Sequence, residues 1–94
     1  MYIPKRIKIG AIYYDVVYPD VQDMDENGDC NQGNCKITVN PLAPEMMQEK
    51  ICWHEMIHAW NINWEEEMVE SMAQMITTVV HDNGLYNTPR GYDE

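Results

Sequence analysis

Phenylalanine is absent from this chain of 94 residues, and cationic side chains are scarce: six Lys and Arg stand against sixteen Asp and Glu, for a net charge of −10. A surface this acidic repels phosphate backbones, which argues against nucleic-acid binding and makes a basic protein partner or basic substrate segment electrostatically easier. No apolar run approaches the roughly 20 residues needed to span a bilayer, so no membrane passage is expected. The opening stretch Met1-Tyr2-Ile3-Pro4-Lys5-Arg6 has no apolar segment after its positive charges and does not read as a secretory signal. Cysteine is rare and odd in number, three in all. That fits a reducing compartment, the cytoplasm, better than a disulfide framework.

What is present suffices for one small domain spanning residues 1–94, 45% hydrophobic, with eight Met, three Trp and six Tyr. A chain this short buries a modest core, and a bound metal would help hold it together. Residues 1–43 are strand-rich. Ile7-Lys8-Ile9 and Ile12 to Tyr18 alternate around Gly10-Ala11 and read as a hairpin. Residues 19–34 are polar and read as a loop or wide turn. Cys35 to Val39 alternates again and makes a third strand, stopped by Asn40-Pro41.

Residues 44–83 carry two helical patterns. The first runs from Pro44, at the first helical position, to Trp60, with Met46, Trp53, Ile57 and Trp60 as its expected core stripe. The second runs from Trp64 to His81, with Met68, Val69, Met72, Met75, Ile76, Val79 and Val80 recurring at helical spacing. Asp82-Asn83-Gly84 ends it. The tail from 84 to 94 is polar. The expected fold class is α+β: a small antiparallel sheet of about three strands packed on two antiparallel helices.

The first helix contains His54-Glu55-Met56-Ile57-His58, an H-E-x-x-H motif. Histidines four apart lie one above the other on a helix face, so both imidazoles can reach one metal. The glutamate beside the first histidine can take a proton from a metal-bound water. Five residues thus supply two ligands and a general base. Zinc is the expected ion, although a two-histidine, one-carboxylate site holds other divalent ions as well.

A catalytic zinc site takes three protein ligands. The long form of the motif is excluded, because Asn61 and Trp64 stand where its glycine and third histidine would be. His81, at the far end of the second helix, is the weakest candidate. Glu65, Glu66, Glu67 and Glu70 open the second helix, and a tight turn between antiparallel helices would bring them near His58. Glu66 is favoured as the third ligand, with Glu70, four residues on, as alternative ligand or as hydrogen-bond partner of a ligand histidine. A competing reading makes Asn63 and Glu66 a capping box, which would pass the ligand role to Glu70.

Trp53 to Ala59, followed by Glu66-Glu67-Met68-Val69-Glu70-Ser71-Met72-Ala73, resembles the small phage and prophage metallopeptidase-type proteins related to the ImmA/IrrE group of gluzincin-like proteases. That group has H-E-x-x-H, a glutamate on the next helix, a polar residue four further on and an alanine seven further on. Glu66, Glu70 and Ala73 match. The seven residues between His58 and Glu66 are fewer than the group has. The resemblance implies a zinc-dependent peptidase fold, acting in the host cytoplasm if the protein is phage-encoded. His54, His58 and Glu66 would hold the ion and Glu55 would serve as base. The expected partner is a peptide or protein substrate. An alternative from another class is a catalytically silent, zinc-stabilised protein-binding module.

Three weaker signals complete the reading. Asp23 to Gly28 resembles half of a calcium loop, but Asn34 stands where its bidentate glutamate should be, so a polar turn is expected. Cys30 and Cys35 are expected as free thiols, and Cys52 as a core residue. Tyr86, Tyr92 and His81 are donors for a developing oxyanion by residue type alone.

Overall fold

The chain is described here by a computed structural model covering residues 3–20 and 27–85. Its elements in chain order are β1 (Arg6–Ile9), β2 (Ile12–Val17), β3 (Gly28–Asn31), β4 (Lys36–Val39), α1 (Glu45–Trp60) and α2 (Glu66–Asp82). The class is α+β.

The hairpin of β1 and β2 turns through Gly10, whose φ of +64° suits a residue without Cβ. Register pairs Ile7 with Tyr14 and Ile9 with Ile12. Period-2 alternation then sends Tyr14 and Val16 from β2, with Ile37 and Val39 from β4, to one face, where they meet Ile51 and Cys52 of α1. Full burial of Ile37 and Val39 contributes roughly 1.5–3 kcal/mol each.

The sheet departs from the expected three antiparallel strands. Among the described residues it has four, in the order β1-β2-β4-β3, and β2 runs parallel to β4. The extra strand, Gly28–Asn31, lies inside the stretch that reads as loop. Gly, Asp and Asn are poor strand formers, so local propensity hides it. Its antiparallel ladder to β4, with Cys30 opposite Ile37, and its packing on α1 supply what propensity does not. Two successive reversals, β2 to β3 and β3 to β4, leave β4 pointing the same way as β2. Cys35, expected to open a strand, instead closes the β3–β4 turn at φ +55°. β3 thus becomes an edge strand lying against α1.

Pro44 caps α1 rather than forming its first turn: its ψ is 153°, and its carbonyl accepts the first helical bond, from Gln48 N–H at 2.9 Å. α1 is the middle layer. It touches β1, β3 and β4 on one side and α2 on the other, whereas α2 meets no strand among the described residues. Its buried surface therefore wraps around it: Ile51 and Cys52 toward the sheet, and Ile57 toward Val69 and Ala73 of α2. This corrects the expected stripe, since Met46 and Trp60 are exposed. On α2 the buried line is Val69, Ala73 and Thr77, while Met68, Met75 and Val79 are exposed. A helix with a neighbour on one side only buries a narrow stripe. The Thr77 hydroxyl is satisfied by donating to the Ala73 carbonyl at 2.8 Å.

Among the described residues no helix is long and apolar enough to cross a membrane. Residues 23–26 of the calcium-like stretch, together with Tyr86 and Tyr92, lie outside the described residues.

Candidate metal centre

The link between the helices decides the site. Asn61 Oδ1 accepts from Asn63 N–H at 3.0 Å, and Asn61 N–H bonds Ile57 O at 2.9 Å, so the chain reverses within a few residues. α2 then begins at Glu66, with Glu65 as its N-cap and no side-chain capping bond. The Asn63–Glu66 capping box does not form. Glu66 turns to α1 instead.

There its Oε1 lies 2.7 Å from His54 Nε2 and 2.6 Å from His58 Nε2, and the two ring nitrogens are 3.2 Å apart. Among the described residues His54, His58 and Glu66 form a group that could hold a metal ion. The spacing fits one. Two nitrogens bound tetrahedrally to zinc at about 2.05 Å stand about 3.3 Å apart, close to the separation of the histidines. Glu66 sits nearer than that, at hydrogen-bond distance, on an exposed side chain.

Glu70 takes the other ring nitrogen. His54 Nδ1 lies 2.8 Å from Glu70 Oε1, and the second carboxylate oxygen, Oε2, accepts from Lys50 Nζ at 2.6 Å. Donation from Nδ1–H to Glu70 leaves Nε2 for the metal, the arrangement by which an outer carboxylate fixes the tautomer of a ligand histidine. Burial opposes charge on His54, but its hydrogen bonds to Glu70 and Glu66 outweigh that and hold its pKa above the ordinary value. The His58 bond, with His54 adding to it against slight burial, holds Glu66 below the usual carboxylate range. Burial works to raise Glu70, yet the bonds from Lys50 and His54 win and hold it low.

Glu55 faces the sheet side of the same helix. It is only 8% exposed. Burial pushes its carboxyl up to about 7, with His54 and His58 pulling the other way and Asp29 and Glu66 adding to the rise. Gly28 of β3 makes this approach possible, because a Cβ there would collide with Ile51 Cγ2 and stand 3.3 Å from Glu55 Oε2. A cavity of about 200 Å³ opens beside these groups, lined by Asn27, Gly28, Lys50, His54, Glu55 and Glu66 among others. A second, smaller one joins Gly28, Asp29 and Cys30 to Glu55, His58 and Glu66.

Three contributors escape a reading of the sequence. Gln32, in the β3–β4 turn, donates to the carbonyls of His58 (3.2 Å) and Ala59 (3.4 Å), pinning the hairpin to the C-terminal end of the ligand helix. Gly28 reads as part of a calcium-like loop. Lys50 carries a signal that could have been found, since it precedes His54 by four residues on the same helix face. The remaining expectations resolve simply. His81 bonds Glu49 at 2.6 Å and is not gathered with the ligand group. All three cysteines are free, with Cys52 fully buried. Burial, with help from nearby Glu55, pushes the Cys30 thiol up to about 11, which disfavours a thiolate ligand.

No family model, curated protein or solved structure matches this chain.

Proposed function

We propose that the chain is a minimal zinc-dependent peptidase that hydrolyses peptide bonds in an extended segment of a protein substrate. The observation that carries this is the convergence of His54, His58 and Glu66 at one point, with the buried Glu55 alongside, one cavity opening on His54, Glu55 and Glu66 and a smaller one on Glu55, His58 and Glu66. Among the described residues the set has three donors rather than four, an open set that suits catalysis better than a purely structural site.

The metal, when bound, supplies a Lewis acid that brings the pKa of a water to about 7 and polarises a carbonyl. The chain's own residues do the rest. Glu70 holds His54 in the tautomer that presents Nε2. Glu55 accepts the proton of the attacking water at its carboxylate and returns it to the leaving amine. In the metal-free chain burial raises the Glu55 carboxyl, the direction that makes its carboxylate a better proton acceptor than an exposed one. Among the described residues β3 is an edge strand, and edge strands offer unpaired backbone groups to an extended peptide. Its Gly28, Asp29 and Cys30 line the approach to Glu55 and Glu66. The acidic surface favours a substrate segment with basic residues. The three free thiols favour the cytoplasm.

One observation favours the second reading, a silent zinc-stabilised binding module. An apolar groove of about 470 Å³ between β1 and the helices gathers all three tryptophans, Trp53, Trp60 and Trp64. The deciding experiment is Glu55→Gln, assayed on an unfolded protein substrate with metal content measured in parallel. The peptidase reading expects zinc retained and turnover reduced by at least about 100-fold, within the range for loss of a general base. Undiminished turnover sinks the assigned role of Glu55, and no turnover in the wild type with zinc bound promotes the binding module.

A further inference from the structure

Glu66 and Glu70 are four residues apart on one helix face, and both reach His54. Chemically they are the same group, so something must assign one to the metal point and the other to the back of the ring. The asymmetry between them is Lys50. Its ammonium lies 2.6 Å from Glu70 Oε2, while Glu66 Oε1 lies at the two Nε2 atoms and is not bonded to Lys50. Lys50 sits one turn before His54 on α1, and is itself partly buried. It draws the second oxygen of Glu70 toward the N-terminal end of α1, away from His58. Glu70 Oε1 is then left to accept from Nδ1.

Resting on the metal-site reading above, we propose that Lys50 is a positioning residue that assigns the two glutamates their roles: it holds Glu70 behind His54 and so leaves Glu66 as the third ligand. Without that ammonium, Glu70 is free to swing to the ligand point one turn away.

The test is Co²⁺ binding, followed by the visible absorption of the bound ion and by chelator competition. It compares wild type, Lys50→Met, Glu66→Ala and the double variant, with folding checked by circular dichroism. Lys50→Met alone should weaken binding about 10-fold, the lower end of what losing an outer partner costs. In the Glu66→Ala background the same change should strengthen binding about 10-fold and alter the absorption band, because Glu70 replaces the missing donor. A merely structural role for Lys50 lowers affinity in both backgrounds. Mere removal of a repelling positive charge raises it equally in both. Either pattern, or no change in either background, overturns the proposal. Lys50→Arg keeps the charge and should leave the Glu66→Ala affinity unchanged; a gain as large as that from Met also overturns it. Lys50→Gln, tested in the same way, decides the matter if the Met variant does not fold. No Co²⁺ binding by wild type fells the metal reading and this inference together, whereas binding without the reversal of sign fells this inference alone.

Discussion

α1 and α2 are joined by carboxylate–histidine contacts at two places, and the two differ in kind. Toward the linker, His54 and His58 of α1 share Glu66 of α2, with Glu70 and Lys50 behind. Toward the other end, Glu49 of α1 meets His81 of α2 at 2.6 Å. Glu49 is 1% exposed, whereas the side chain of Glu66 is 71% exposed. The distal contact is a strut, in which an imidazole meets a carboxylate shut away from water. The proximal group collects three donor atoms at a point open to a cavity. A histidine and a glutamate in contact are therefore not in themselves a site. Convergence of a further donor, and access, make one.

The largest expected effect breaks the comparison at its proximal end. Glu66→Ala should reduce zinc affinity by more than about 100-fold, beyond the range for an outer partner, while His81→Ala should leave zinc content at the wild-type level. Metal analysis of the purified variants reads this directly. Zinc lost from His81→Ala, or kept by Glu66→Ala at wild-type affinity, would mean that the ligand group is wrongly drawn.

Next in size is the distal end. His81→Ala leaves Glu49 facing the interior without the imidazole, and breaking a buried pair on one side costs about 3 kcal/mol. Urea unfolding in chelator should show that loss as a lower midpoint with an unchanged slope. The Glu66→Ala variant, measured the same way, should lose much less, because an exposed ion pair is worth about 1 kcal/mol or less. Equal losses would erase the distinction between strut and site.

The two ends also differ in how far the sequence announced them. H-E-x-x-H is a local pattern, because helical geometry alone places His54 and His58 together, and Glu66 follows from a short turn between antiparallel helices. The α+β class was legible for the same reason: each long periodic segment forms as its period dictates. The Glu49–His81 contact spans 32 residues and depends on how the helices lie along each other, which no local spacing encodes. β3 was hidden because Gly28-Asp29-Cys30-Asn31 is a strand by pairing and packing, not by propensity. The core stripe of α1 was misjudged because a middle-layer helix has two buried sides, and periodicity offers one. Trp60, at the exposed end of that helix, is the clearest casualty.

The smallest expected effect separates the two buried carboxylates of α1, Glu49 and Glu55. In the metal-free protein the Glu55 carboxyl is raised to about 7 from 4.5 by burial above all. Between those values the folded state binds more protons than the unfolded state, so stability falls as pH rises from 4.5 to 7 and levels off above. Glu55→Gln removes this titration. In chelator, the variant should match wild type near pH 4.5 and become progressively more stable toward pH 7.5. The shift sets a ceiling of about 3 kcal/mol, and coupling to His54 and His58 should bring the gain nearer to about 1–2 kcal/mol. The same substitution that removes the proposed base would thus stabilise the fold, as expected where a buried charge is kept for chemistry rather than for structure. Glu49→Gln should do the opposite and destabilise at neutral pH, since it weakens the contact with His81. Denaturant midpoints across the pH range read both variants. A Glu55→Gln protein less stable than wild type at pH 7.5 would place Glu55 with Glu49 among the struts.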